Sequence, residues 1–222
     1  MRSGAGHRLF ALIAVATLVC ASLCAQQSPP SAQDLARRVD QHYNKLRSLK
    51  SSFTESYEGL GMKRTESGTM LLEKPSRMRW DYSSPAGKLF LLDGSFAWFY
   101  SPGDPQVQRL PAKDLDDLRS PLRFLLGHTS LEKELTDLKI APAANGCFTL
   151  TGQPKGEQAR VAQLTLTVTA EGAITAIEVE EADGALTRFT FTGEEPNASI
   201  PAGTFRFTPP AGVPVVGALP PV

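Results

Sequence analysis

The chain has 222 residues, and its 23 lysines and arginines are matched by 23 aspartates and glutamates. That balance gives no electrostatic case for binding nucleic acid or an anionic membrane surface. Two of the three cysteines, Cys20 and Cys24, lie near the N-terminus. Cys147 stands alone downstream, where it reads as a half-buried strand cysteine with no disulfide partner once the N-terminal segment is removed.

Residues 1–25 read as a cleaved secretory leader. Arg2 and Arg8 supply a positive start, Leu9 to Cys20 is an apolar run too short to span a bilayer, and small residues follow at Ala21, Ser22, Cys24 and Ala25. Cleavage is expected after Cys24 or Ala25. Lipid modification is disfavoured, because Val19 and Leu23 precede the two leader cysteines where a small residue is wanted. Loss of Arg2 and Arg8 takes the formal charge to −2, and residues 26–222 suit one β-rich domain with a sizeable core.

Gln26 to Ser31, with Pro29 and Pro30, forms a short linker ending in an N-cap serine, with Asp34 three residues on. Leu35, Val39, Tyr43 and Leu46 recur at helical spacing, so one amphipathic helix is predicted over 31–49, with an apolar stripe that must lie on something. From Ser51 the period becomes two. Strands are predicted at Ser52–Tyr57, Glu66–Glu73, Arg77–Tyr82, Lys88–Leu92 and Ser95–Ser101. Asp93-Gly94 predicts a type I′ hairpin turn. Beyond it Phe96, Trp98 and Tyr100 share one face and Ala97 and Phe99 the other, so both faces are apolar. In the strand before Pro85, Met78, Trp80 and Tyr82 alternate with Arg77, Arg79 and Asp81, one face inward and one in water.

Asp114 to Gly127 interrupts the sheet with two short helices joined at Ser120-Pro121. Strands resume near Leu135–Ile140, Cys147–Gly152, Ala162–Thr169, Ala173–Glu180, Leu186–Gly193 and Thr204–Thr208, and the Pro-rich tail from Pro209 is expected to be extended. About eleven strands in hairpin succession argue for a highly curved antiparallel sheet or barrel.

Catalytic equipment is sparse. His42 reads as a solvated helix position and His128 as a helix-end cap. No zinc-protease, nucleophile-elbow or phosphate-loop motif is present, and the carboxylates at Asp114, Asp116, Asp117, Glu178, Glu180 and Glu181 read as solvated surface. Neither an enzyme nor a metal or organic cofactor is expected. The concave side of such a sheet must be filled by its own side chains, by a helix or by a ligand. Periodicity alone favours a solid core.

The segment Gly68-x-Met70-x-Leu72-Glu73-Lys74-Pro75-Ser76-x-Met78-Arg79-Trp80-x-Tyr82-x-x-Pro85, followed by Leu92-Asp93-Gly94-x-x-x-Trp98-x-Tyr100 and Gln106-Val107, resembles the LolA-type periplasmic lipoprotein carrier family. Phe53-Thr54-Glu55, Ser120-Pro121-Leu122, Leu125-Leu126-Gly127 and Phe205-x-Phe207-x-Pro209-Pro210-x-Gly212-Val213 match in order. The resemblance implies an incomplete, open antiparallel β-barrel, mainly β with α, covered by the N-terminal helix and the short central helices as a lid. It implies a monomeric periplasmic carrier, binding no nucleic acid, that takes acylated lipoproteins from an inner-membrane ATP-driven releasing complex to an outer-membrane receptor. An exposed acyl chain costs about 0.8 kcal/mol per CH₂ in water, so such transit needs a shielded apolar surface.

On that basis Tyr43, Leu46, Met70, Leu72, Met78, Trp80, Phe90, Leu92, Trp98, Leu122 and Leu126 are expected to line or cover the cavity. The resemblance also implies a lid latch at the residue before Pro75, an arginine in well-known members that hydrogen-bonds lid-helix backbone. Here it is Lys74, which can donate to a carbonyl but lacks the planar fork. Met78 stands where an aromatic is often seen. A related envelope sensor that binds acyl chains or a regulatory protein without ferrying cargo is the competing reading, and an envelope hydrolase a third.

Overall fold

The computed structural model describes residues 29–115, 125, 130–156 and 159–217. The leader, the helix pair joined at Ser120-Pro121, His128 and the candidate lid residues Leu122 and Leu126 lie outside the described residues.

Helix α1 spans Ala32–Lys45 and starts as its sequence dictates, with the Ser31 hydroxyl accepting from the Asp34 amide at 3.0 Å. Its stripe of Ala32, Leu35, Ala36, Val39 and Tyr43 is buried. The helix ends four residues before the predicted limit because tertiary partners take over its last backbone groups. The Lys74 amide donates to the Arg47 carbonyl and the Asn197 amide to the Ser48 carbonyl, drawing Ser48 into a strand.

Twelve strands follow: β1 (Ser48–Gly59), β2 (Met62–Glu73), β3 (Arg77–Ser84), β4 (Ala86–Asp93), β5 (Phe96–Tyr100), β6 (Val107–Pro111), β7 (Leu135–Pro142), β8 (Phe148–Pro154), β9 (Val161–Val168), β10 (Ile174–Glu181), β11 (Leu186–Pro196) and β12 (Val215–Gly217). A one-turn helix, α2 (Leu131–Glu134), precedes β7. They form one sheet in the order β12-β6-β5-β4-β3-β2-β1-β11-β10-β9-β8-β7. Every described pairing is antiparallel except that of β12 with β6. The edges β12 and β7 do not pair, so the barrel is open, as the sequence led us to expect. None of the described helices is long and apolar enough to cross a membrane.

Two local expectations are corrected, and two short strands were not foreseen. Thr204–Thr208 is not a strand; Phe205 instead packs on the convex face with Leu89 and Leu91. The tail supplies β12, and β6 was missed. Asp93-Gly94 does not make a type I′ turn, since Gly94 has positive φ and Asp93 does not. The Asp93 carboxylate holds a longer loop by accepting from the Ser95 and Phe96 amides at 2.8 and 2.7 Å. Two consecutive positive φ values occur instead at Leu60-Gly61, between β1 and β2.

The sheet curls tightly. β3 and β11 are separated by β2 and β1, roughly 14 Å apart if flat at about 4.8 Å per strand, yet the rings of Trp80 and Phe189 meet at 5.5 Å. Gly68 helps, because a Cβ there would lie 2.1 Å from the Asp81 carbonyl oxygen, at the point where β2 and β3 shift register. The concave face carries the main core and accepts the stripe of α1.

Gly172, in the β9–β10 turn, fixes how closely α1 docks. Its φ is +97°, and a Cβ would lie 2.4 Å from the Arg38 carbonyl oxygen. Arg38 in turn donates to the Ala170 carbonyl at 2.7 Å. Gly184 has a comparable φ of +86° but open space around it. We expect Gly184→Ala to cost about 1 kcal/mol in denaturant unfolding and Gly172→Ala roughly 2 kcal/mol or more. Equal costs would show that the turn does not constrain the helix.

Candidate functional site: the concave face and the helix that covers it

Period-two alternation brings Phe53 of β1, Met70 and Leu72 of β2, Met78 and Trp80 of β3, Leu92 of β4, and Phe189 and Phe191 of β11 onto one apolar surface. Phe53 stacks obliquely on Trp80 at 4.3 Å between ring centroids, and Phe191 meets the indole at 6.2 Å. Tyr43 of α1 and Leu46, the residue that caps its C-terminus, are buried in the same cluster, at 1% and 6% exposure. The helix residues are buried in one cluster with these sheet residues, although the helix is not part of the sheet.

Of the eleven predicted lining residues, Tyr43, Leu46, Met70, Leu72, Met78, Trp80 and Leu92 are buried in this cluster, and Phe90 packs against it. Trp98 does not join them. It lies on the convex face with Leu89, Leu91 and Phe205, contacts Phe207 at 5.8 Å, and donates its indole N–H to Asp93 at 2.7 Å. β5 is apolar on both faces, so alternation could not say which one turned inward; Ala97 and Phe99 do. Phe189 and Phe191 were read only as strand residues, although their spacing matches that of Phe53 and Glu55 across the β1–β11 ladder.

Polar contacts clasp the C-terminal end of α1 and the short passage from it into β1. The Lys74 ammonium donates to the Tyr43 carbonyl at 2.5 Å, where a cation also suits the negative end of the helix dipole. Burial pulls the pKa of Lys74 below lysine's usual value. Asn197 Oδ1 accepts from the Arg47 amide at 2.9 Å, and the Ser48 hydroxyl donates to the Ala198 carbonyl at 2.6 Å. His42 is not solvated as expected, since its Nε2 lies 2.7 Å from Glu194 on β11. Glu194 also faces the Tyr43 hydroxyl at 3.4 Å, and that hydroxyl accepts from the Ile174 amide at 3.0 Å. Burial first and Glu194 second keep the phenol protonated. A groove of about 400 Å³ opens beside Lys74, bordered by Leu46, Arg47, Glu73 and Ile200.

Further along the concave face the apolar surface gives way to charge. Glu66, 5% exposed, pairs with Lys88 and, at 3.3 Å, with Arg64, while Tyr82 donates to Glu55 at 3.1 Å. Two acids meet two bases there, which neutralises the cluster. Among the described residues no group of histidine, cysteine, aspartate and glutamate could hold a metal ion.

Asp40 joins α1 to α2 by accepting from the Leu131 amide at 3.2 Å. Burial, aided by Glu132 and Glu134, pushes its pKa from 3.8 up to about 6, against the pull of that amide. Because the folded chain holds this proton more tightly than the unfolded one, the group adds stability as pH falls through about 6 and loses it as pH rises. Asp40→Asn, which keeps an acceptor, should raise thermal stability at pH 7 by the equivalent of roughly 1 kcal/mol and flatten its slope between about pH 4 and 7. An unchanged slope would remove Asp40 as its source.

Comparison with known proteins agrees with this geometry. A sequence profile described as "Outer membrane lipoprotein carrier protein LolA" matches residues 44–208. The chain is 32% identical over 189 residues to an outer-membrane lipoprotein carrier protein of Dechloromonas aromatica, covering 82% of this chain and 88% of that one. It is 33% identical over 154 residues to the protein of the same name in Nitrosospira multiformis, covering 68% and 72%. An uncharacterized conserved protein of Thermus thermophilus superposes with a TM-score of 0.53 at 12% identity, over 84% of this chain and 99% of that one, and so shares the fold. With an open twelve-stranded sheet, a covered concave face and a profile match over most of its length, this chain belongs to the LolA family of outer membrane lipoprotein carriers.

Proposed function

We propose that the protein carries lipoproteins across the periplasm without chemical change, holding their acyl chains between α1 and the concave face. The reading is carried by one observation: the aromatic residues of the concave face are buried in one cluster with the apolar stripe of a separate helix, which is pinned at one end by side chains such as Lys74 and Glu194. Lifting that helix frees an apolar bed for a chain of methylenes, each worth about 0.8 kcal/mol when shielded. The residues on the bed, Phe53, Met70, Trp80 and Phe191 among them, bring no nucleophile or acid–base group, so cargo leaves as it arrived.

Delivery in this reading runs from an ATP-driven releasing complex in the inner membrane to a receptor in the outer membrane. Cargo moves toward whichever site binds it better. Residues 1–25 serve as the leader that brings the chain to the periplasm. Lys74 acts as the latch, since its bond to the Tyr43 carbonyl can exist only while α1 is seated.

The test is release of a diacylated lipoprotein from membrane vesicles containing the releasing complex. The parent protein should move it into the soluble fraction; cargo that stays wholly in the vesicles at saturating protein overturns the carrier role. Lys74→Leu removes a bond specific to the closed, empty form. It should therefore hold cargo roughly fivefold more tightly and pass it on more slowly, while Lys74→Arg stays near the parent. Parent-like loading and release by both variants would remove the latch and leave the apolar bed as the whole explanation.

A further inference from the structure

Trp80 is 1% exposed, at the centre of the concave face, and its indole N–H has no hydrogen-bond acceptor among the described residues. Its surroundings explain why. Phe53, Phe189 and Phe191 ring it at 4.3, 5.5 and 6.2 Å, and aromatic rings are at best weak acceptors. Other polar groups on or near this face are matched: the Tyr43 hydroxyl by Ile174 and Glu194, the Tyr82 hydroxyl by Glu55. The second indole, Trp98 on the convex face, has Asp93. A buried donor left without a partner is costly and uncommon in folded proteins.

We infer that Trp80 Nε1 is the polar anchor of the acyl-binding face, and that its acceptor is the carbonyl oxygen of an acyl ester on the cargo. The inference rests on the carrier reading and deepens it. A pure hydrocarbon has no acceptor and would leave the N–H orphaned. An ester carbonyl sits at the head of each fatty chain, so it reaches the face whenever the chain does, and it is an acceptor only, matching a group that only donates. The unmet donor disfavours the arrangement with α1 seated, and meeting it gives the loaded state a directional contact that the surrounding rings cannot supply. Glycerol-linked acyl chains are thereby preferred over alkyl chains of equal length.

The experiment compares two short-chain lipopeptides of one peptide sequence, kept below their micelle concentrations. One carries dioctanoylglyceryl-cysteine and the other its dioctyl ether counterpart, which keeps the chains and lacks the carbonyls. The parent protein should bind the ester roughly tenfold more tightly, about 1.4 kcal/mol. Trp80→Phe, which keeps an apolar ring without the N–H, should bind both alike at the ether's affinity. A second measurement leaves Trp80 in place: in a Trp98→Phe background its emission should shift to longer wavelength with the ester and not with the ether. Equal parent affinities overturn the anchor and leave the carrier reading standing. An ester preference that survives in Trp80→Phe overturns it too, because the carbonyl is then read elsewhere. Binding of neither probe overturns both.

Discussion

The structure depends on one contact surface, the stripe of α1 seated on the concave face of the open sheet. An antiparallel sheet this curved has an inner side that must be dry, and large rings from β1, β3 and β11 cover only part of it. Aliphatic side chains of the other strands cover more of it, and Tyr43, Leu46, Val39 and Leu35 are buried in the same cluster. At about 1.5–3 kcal/mol for each large apolar side chain buried, that contact is worth roughly 10 kcal/mol. A fatty chain of a dozen methylenes, at about 0.8 kcal/mol each, is worth about the same. In the proposed carrier cycle, helix and chain are thus near-equal competitors for one bed.

When two large terms nearly cancel, small ones decide the direction. The clasps on the C-terminal half of α1 and on the turn that follows it are of that size: a lysine on a helix carbonyl, an asparagine on the Arg47 amide, and a histidine–glutamate contact between side chains each 22% exposed. Each is worth on the order of 1 kcal/mol. In that cycle they are adequate to keep the helix seated and weak enough for cargo to displace. The convex side is built for permanence by contrast, with Phe205 and Phe207 strapped over Leu89, Leu91 and Trp98, and with Arg79 donating to the Thr204 carbonyl at 3.0 Å. Nothing in the proposed cycle requires that side to open.

Much of this was legible in the sequence because it follows from periodicity. The 3.6-residue spacing of Leu35, Val39 and Tyr43 located the helix, and alternation around Met78 and Trp80 located the inward face of β3. What alternation cannot do is choose between two apolar faces, which is why Trp98 was placed inside and lies outside. Contacts set by tertiary meeting were equally silent. Nothing near His42 in the chain announces Glu194, 152 residues away, and nothing near Asp40 announces the Leu131 amide. Turn chemistry misled where a side chain overrode the dipeptide rule, with Asp93 gathering two amides and an indole instead of taking positive φ.

The central claim is that cargo and helix α1 share one site, so loading must lift the helix. Spin labels at Gln41, exposed on α1, and at Thr54, exposed on β1, report that separation directly by pulsed electron resonance. Saturation with a diacylated lipopeptide should lengthen the mean distance by about 4 Å or more, the contact spacing of one layer of carbon atoms. A distance unchanged while cargo is demonstrably bound would mean that the acyl chains lie elsewhere, and the account of the concave face would be wrong.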